Sequence, residues 1–388
     1  MNPHVLVAGA GPAGAIAALV LARAGVRVRL LERASLPREK LCGDTINPGA
    51  LAVLRRLGIV DEVERAGLPI RGMLVTGATG VSVAGCYGDG VHGLSLRRRE
   101  LDALLVARAV EAGAELETGV CVRAPLVEES RGDRRVVGLA VSRPGGAVTH
   151  LRAPVTIAAD GRRSRLAFAL GLARHPARPR RWAIGAYFEG ASGSRDRGEM
   201  HIRPGRYIGV APLPGGLTNV CVVVPQPRCG ALCEPGALLS ATVTRDALLG
   251  DRFAGARMVA PPLVLGPLAV DTTAAGLPGL LLAGDAAGFI DPMTGDGLRF
   301  AFRGGELAAA AALRAIEGAA EPAALTLAAW RRAEFGGKWR MNRALRALVA
   351  SPSAIAWAAA GVRLCPALLR HVINAAGDVE PAAVPDGR

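Results

Sequence analysis

Lysine is almost missing from this 388-residue chain: only Lys40 and Lys338 occur, so the formal net charge of +14 rests on 45 arginines. With Ala, Gly, Val and Leu dominating the remainder, the arginine excess reads first as a bias toward GC-rich codons. An anionic substrate or carrier comes second, and affinity for a membrane surface third. Aromatic side chains make up 4% of the chain, too few to stack unpaired bases, and no helix-turn-helix or RNA-binding signature is present, which excludes nucleic acid as a partner. The seven cysteines (42, 86, 121, 221, 229, 233 and 365) are odd in number and scattered. That excludes a disulfide framework and points to a reduced, cytoplasmic chain. Cys229 and Cys233 lack a second cysteine or histidine pair at zinc spacing, so no metal is expected. No uninterrupted apolar run of about 18 residues stands outside a pattern the fold explains, and the apolar N-terminus lacks the basic flank of a signal peptide. The expectation is a soluble chain, peripheral to a membrane at most, whose 51% hydrophobic residues suffice for two domains and an appendage.

What is present is glycine, in informative places. Residues 5–33, VLVAGAGPAGAIAALVLARAGVRVRLLER, spell strand, glycine-rich turn, helix, strand and terminal acid, the pattern of a dinucleotide-binding unit. Gly9 permits the tight turn, Gly11 lets the backbone approach a pyrophosphate, and Gly14, after Ala13, lets the helix pack close to the sheet. The helix opening there aims its unpaired N–H groups at the phosphates. Glu32, 18 residues beyond Gly14 and followed by Arg33, is placed to accept hydrogen bonds from the adenosine ribose.

Further along, a helix is expected over 50–57, stopped by Gly58, and β-structure over 69–96. Leu101, Leu104, Leu105 and Ala109 predict a helix that Gly113 caps. A strand and a β-meander follow over 115–156. Residues 183–224 alternate in short β-like runs with turns at Gly193, Gly205 and Gly215-Gly216, which suits an antiparallel sheet covering a pocket. A buried strand begins near Leu277, a long helix runs over 297–317, and the tail from Pro322 is helical, with breaks at Pro352 and Pro366.

Three more motifs accompany the glycine turn: an apolar strand ending in Asp160-Gly161, another ending in Gly284-Asp285, and the turn-rich loop Asp291-Pro292-Met293-Thr294-Gly295-Asp296-Gly297, which opens a helix. A helix N-terminus at 295–297 supplies backbone N–H donors where negative charge would accumulate on a reduced ring. Pro292 orients the loop, and its glycines let it lie flat against a ring. Together the four motifs resemble the FAD-dependent oxidoreductases of the aromatic hydroxylase superfamily, and within it the geranylgeranyl reductase family, over roughly residues 1–320. The resemblance implies an α/β fold: a three-layer, glutathione-reductase-type Rossmann-like FAD-binding domain (1–70, 97–180 and 266–320), an antiparallel β-sheet substrate domain (71–96 and 181–265) and a helical C-terminal region (321–388). It implies FAD as cofactor, with Asp285 on the ribityl chain or pyrophosphate, Asp160 supporting the phosphate region, Pro292, Gly295, Asp296 and Gly297 beside the ring, and Arg38 facing phosphate or adenine. Arg98 matches the family's Arg-x-x-Leu-Asp helix start; a solvated surface charge is the other reading for either arginine. Lys40-x-Cys42-Gly43 looks like the family's Lys-x-Cys-Gly segment and places Cys42 and Gly43 near the isoalloxazine, where the thiol either donates a proton or shapes the pocket.

The likeness weakens at the segment 207–212. Prenyl reductases of the family carry Tyr-x-Trp-x-Phe-Pro there, and this chain has Tyr207, Gly209, Ala211 and Pro212. The pocket is then wider or differently filled, and the substrate is still apolar because the segment holds no charge. The Trp-x-Trp-x-Ile-Pro segment of flavin-dependent halogenases is absent as well. No second glycine motif for NAD(P)H occurs, so the reductant visits transiently or is a protein donor. The leading expectation is hydride transfer between FAD and a carbon–carbon bond of a lipid-, isoprenoid- or polyketide-like molecule. The alternatives are an NAD(P)H-dependent monooxygenase hydroxylating an aromatic or alkene substrate, and a non-catalytic flavin-bound electron carrier. Contact of the tail with a membrane through Trp330, Trp339 and neighbouring arginines stands beside the simpler reading that these helices pack on the body.

Overall fold

A computed structural model of the chain describes residues 3–77, 80–88, 90–130, 132–178, 180–225 and 234–350, with 357, 360–361, 373–375 and 377 beyond them. Cys229, Cys233, Cys365 and the proline breaks at 352 and 366 lie outside the described residues. The N-terminal pattern folds as its spacing predicts. The strand Val5–Ala8 leads through the turn into the helix Pro12–Arg23, which opens on Pro12, a position where a missing N–H costs nothing. Gly25, at φ 75°, lets the chain leave the helix for the strand Val28–Leu31. These strands are the centre of a six-stranded sheet ordered Gly276–Leu277, Leu280–Leu282, Val155–Ala158, Val5–Ala8, Val28–Leu31, Glu115–Glu117. All its ladders are parallel except the first, and helices cover one face while the meander Cys121–Ser130, Asp133–Ser142 and Thr149–Arg152 covers the other. Burial on both faces explains why the central strands are continuous apolar runs rather than alternating ones.

Close packing around the turn depends on small residues. A Cβ on Gly14 would lie 1.9 Å from the Gly9 carbonyl oxygen, and one on Gly305 would lie 2.3 Å from the Ala13 oxygen. The helix Gly297–Ile316 therefore approaches the helix Pro12–Arg23 almost backbone to backbone. The helix Arg98–Glu111 buries Leu101, Leu105, Val106 and Ala109 against the same side.

The second sheet is built from Gly72–Thr76, Ser82–Cys86, Arg181–Glu189, Arg197–Arg203, Arg206–Pro212 and Thr218–Pro225, with Arg257–Met258 and Leu263–Leu265 pairing at one edge. It departs from a purely antiparallel expectation in one ladder. Gly72–Thr76 runs parallel to Arg197–Arg203, which is possible because the intervening chain passes through the first domain instead of a hairpin. Strand alternation divides its side chains. Ile184, Ile208 and Val222 pack under the helices Pro235–Thr244 and Gly250–Phe253, whereas Ala183, Tyr207 and Val223 face the first domain. Those two helices and the helix Val60–Ala66 had no clear sequence signal, since each is short and takes its stability from the face it covers. The tail opens with the helix Ala323–Ala350, and no helix among the described residues is long and apolar enough to cross a membrane.

Candidate active site

A single cavity between the two sheets gathers most of the residues that the sequence singles out. Its wall includes Gly11 and Ala13 from the turn, Cys42 and Gly43 from the following loop, Arg98, Gly161, and Gly284 with Asp285. Pro292, Gly295 and Gly297 from the third motif, and Tyr207, Gly209 and Ala211 from the second sheet, complete it. The rest of the second-sheet side is apolar, with Leu41, Met73, Met200, Val223, Leu265 and Met293 among its members. Odd-numbered residues of the strand Arg206–Pro212 reach the cavity by alternation. Val210 joins them on the wall, and Pro212, expected there from sequence, is not among the lining residues.

The turn behaves as its glycines require. Gly9 sits at φ 97°, and a Cβ there would press to 2.5 Å from the Ala159 oxygen. At Gly11 a Cβ would meet only the Arg38 guanidinium, at 3.6 Å, so the turn is open toward the cavity. Glu32 is buried; its two oxygens accept from the Ala10 and Ala34 amides at 3.0 Å each, and Arg38 lies 3.5 Å away. It thus braces the turn itself, leaving at most part of its acceptor capacity for a ribose. Arg38 bridges Glu32 and Asp102, the latter at 3.2 Å. Asp102 in turn receives both forks of the buried Arg98, at 2.8 and 3.0 Å. The two arginines therefore belong to one buried charge network that runs from the turn to Cys42. The solvated-surface reading does not hold for Arg98.

Arg98 carries the network on to Cys42, whose thiol feels the guanidinium charge, and both residues line the cavity. Burial pushes that thiol up, an effect that the Arg98 charge opposes only in part, so the sulfur keeps its proton. The loop is clamped to the second sheet by Asn219, whose amide donates to the Cys42 carbonyl at 2.7 Å and to Asp44 at 2.9 Å. Cys221 donates to the same carbonyl, and Leu41 presses on Gly185, where a Cβ would lie 2.4 Å from its side chain. Asp44 is fully buried, holds φ 55° and has its pKa raised to about 7 by burial, against the hydrogen bond from Tyr187 and the Arg98 charge. Burial likewise lowers Lys40, on the cavity wall, to about 8, with Arg98 adding to it. Glu199, also on the wall, would be raised by burial, yet hydrogen bonds from His201 and a bidentate Arg252 at 2.7 and 2.8 Å prevail and hold it at about 2.

Asp44, Asn219, Tyr187 and Glu199 escaped the sequence reading. Asp44 alone had a local signal, since it follows Cys42-Gly43 directly; the others are brought in by sheet register. Gly9, Gly14, Glu32 and Arg38 support the turn behind the cavity wall, and Arg33, Asp160, Asp296 and Pro212 also do not line it. Arg33 is exposed. Asp160 accepts from the Arg165 amide at 2.8 Å at the start of the helix Arg165–Ala169, which Ser164 caps. Asp296 is turned to Asn47 and Lys338, at 3.2 and 2.8 Å, so it anchors the loop from behind while Gly295 and Gly297 face the cavity. In the tail, Trp330 and Trp339 pack against the core, in keeping with helices resting on the body.

The cavity fits FAD on its own geometry: an open Gly11, an arginine beside it, a glycine-paved path past Gly284-Asp285 and a helix N-terminus at the far end. A family model described as an FAD binding domain matches residues 2–191. Digeranylgeranylglycerophospholipid reductase 2 of Methanopyrus kandleri is 34% identical over 331 residues, covering 82% of this chain and 78% of that protein. Menaquinone reductase of Mycolicibacterium smegmatis is 30% identical over 322 residues, covering 79% and 75%. Among solved structures, the flavin-dependent brominase Bmp2 superposes with a TM-score of 0.83 at 21% identity over 97% of this chain and 94% of that one, a likeness of fold alone. The chain is an FAD-dependent oxidoreductase and belongs to the geranylgeranyl reductase family.

Proposed function

We propose that this enzyme saturates a carbon–carbon double bond of an isoprenoid-like lipid, with Cys42 as proton donor. The observation that carries the reading is the placement of the Cys42 thiol, kept neutral by burial, with Arg98 on the wall of the same apolar cavity as the Gly295–Gly297 helix entrance. Bound FAD, once reduced, supplies the hydride. The apolar wall holds the alkene and excludes water. Cys42 Sγ–H delivers the proton to the second alkene carbon, and the Arg98 guanidinium, which can only donate, stabilises the sulfur as its proton leaves. The relatives' names, a geranylgeranyl lipid reductase and a menaquinone reductase, support a prenylated substrate. Gly209 and Ala211 supply width for something broader than a thin chain, such as a prenylated ring. The reductant, NAD(P)H or a protein donor, comes from outside because the chain carries one dinucleotide turn.

The test is anaerobic mixing of the reduced holoenzyme with menaquinone or a geranylgeranyl glycerolipid, followed by mass spectrometry. A gain of two hydrogens is expected, and Cys42→Ser slows it by about 10²–10⁴-fold with FAD affinity unchanged. A product that forms only with oxygen and carries an atom of it would replace this reading with the monooxygenase one.

A further inference from the structure

We propose that the arginine-lined cleft between the segment 270–291 and the helix Ala323–Ala350 binds a phosphate ester. Arg331 is the central observation. It is 6% exposed and lines this second cavity, donates to the Ala287 carbonyl at 2.9 Å and lies 5.6 Å from the ring centres of both Phe335 and Trp339. Among the described residues no carboxylate pairs with it. A carbonyl and two ring faces offset only part of the cost of burying a guanidinium; burial lowers its pKa to about 10.

Asn342 gives a second, independent sign. Eleven residues further along the helix, it shares the Arg331 face, is 3% exposed and lines the same cleft. Its amide oxygen is buried with no hydrogen-bond partner, and an amide in either orientation there is a polar group awaiting one. Arg174, Arg332, Arg343 and Arg346 complete the wall, and among the described residues none of the four forms an ion pair. Of the three carboxylates bordering the cleft, Asp291 is already committed to Arg181 and Tyr207, which leaves Asp271 and Asp285 against five guanidinium groups. Planar guanidinium forks match phosphate oxygens, and Trp339 with Phe300 offers an apolar flank for the organic part of an ester.

Gly284, Asp285, Phe289 and Gly297 border both this cleft and the main cavity. A phosphate held here therefore sits beside the cofactor-binding segments without occupying them. Two phosphate esters would have reason to be there: a nicotinamide dinucleotide reductant and the headgroup of a phospholipid substrate. The site stands whether or not the enzyme reduces an alkene.

Calorimetric titration of the FAD-loaded protein with inorganic pyrophosphate tests it. Saturable binding is expected, weakened about tenfold or more by Arg346→Gln with the flavin spectrum unchanged, and weakened likewise by Arg331→Met where that variant folds. Displacement by NADPH assigns the site to the reductant, and displacement by glycerol phosphate assigns it to a lipid headgroup; either result upholds a phosphate ester. Failure of both to displace pyrophosphate would overturn the ester. Absence of binding, equal affinity in the variants, or binding to apoprotein that FAD abolishes would each overturn the site.

Discussion

Tyr207 Oη donates a 2.6 Å hydrogen bond to Asp291 Oδ1, tying a strand of the second sheet to the loop that opens the helix Gly297–Ile316. Both residues are buried, and Arg181 holds the other carboxylate oxygen at 3.2 Å. The bond joins the substrate-side wall to the cofactor-side wall at one point. Tyr207→Phe is expected to lower unfolding free energy by about 1.5–3 kcal/mol, the range for a hydrogen bond to a charged group, as measured by urea denaturation. Asp291 keeps Arg181, so the variant folds.

Two glycines three residues apart, Gly11 and Gly14, separate cofactor binding from folding. A Cβ on Gly11 meets nothing closer than 3.6 Å, whereas one on Gly14 would collide with the Gly9 carbonyl at 1.9 Å. Gly11→Val should therefore yield a folded, colourless protein, and Gly14→Val a poorly folded one. Circular dichroism with the flavin absorbance distinguishes them; a full yellow complement in Gly11→Val would refute the placement of the pyrophosphate there.

Asp44 predicts a pH dependence of stability. Its pKa lies at about 7 in the folded chain, above its ordinary 3.8, so between those values the native state holds a proton that the unfolded state has lost. Stability from this group is then full below about pH 4 and falls as pH rises through 7. The groups facing it are Arg98, Tyr187, Glu39 and Asn219. Asp44→Asn removes the slope between pH 4 and 7, and denaturation midpoints across that range would reveal it; parallel curves for the two proteins would contradict the assignment.

Gly209 offers a test of pocket width. A Cβ there would make only an ordinary 3.8 Å contact with the Cys221 carbonyl, so Gly209→Trp adds an indole to the cavity without forcing the backbone. Substrate choice should narrow toward thin, extended chains, seen as KM rising for a prenylated ring while that for a linear prenyl chain holds. An equal KM change for both would place residue 209 outside the substrate path.

The dinucleotide unit, the third-motif helix entrance and the β-rich character of 183–224 were legible in the residues because each is written in local terms: glycine spacing, strand-like alternation, a helix start. Cys42 and Gly43 came from a family motif, and the fold placed them in the cavity beside the motifs read locally. The partners of that loop were not legible. Asn219 lies 177 residues from Cys42 in the chain, and nothing in its neighbourhood distinguishes it from any other strand residue. Pro212 and Asp296 show the converse, residues inside a telling motif that do not line the cavity, Asp296 because it is turned to partners such as Lys338.

The sequence by itself determined that the chain carries a dinucleotide-binding unit and that residues 183–224 are β-rich, because glycine spacing and strand alternation are local patterns, while the thiol loop and the Asp160-Gly161 and Gly284-Asp285 segments were tied to a cofactor through the family resemblance. Only the tertiary structure decided which face of the second sheet meets that site, that Asp44 is buried as a protonatable group, and that Arg331 is enclosed without a carboxylate among the described residues. Those properties depend on desolvation and on charges brought together across hundreds of residues, and burial is a property of the packed chain that no local pattern encodes.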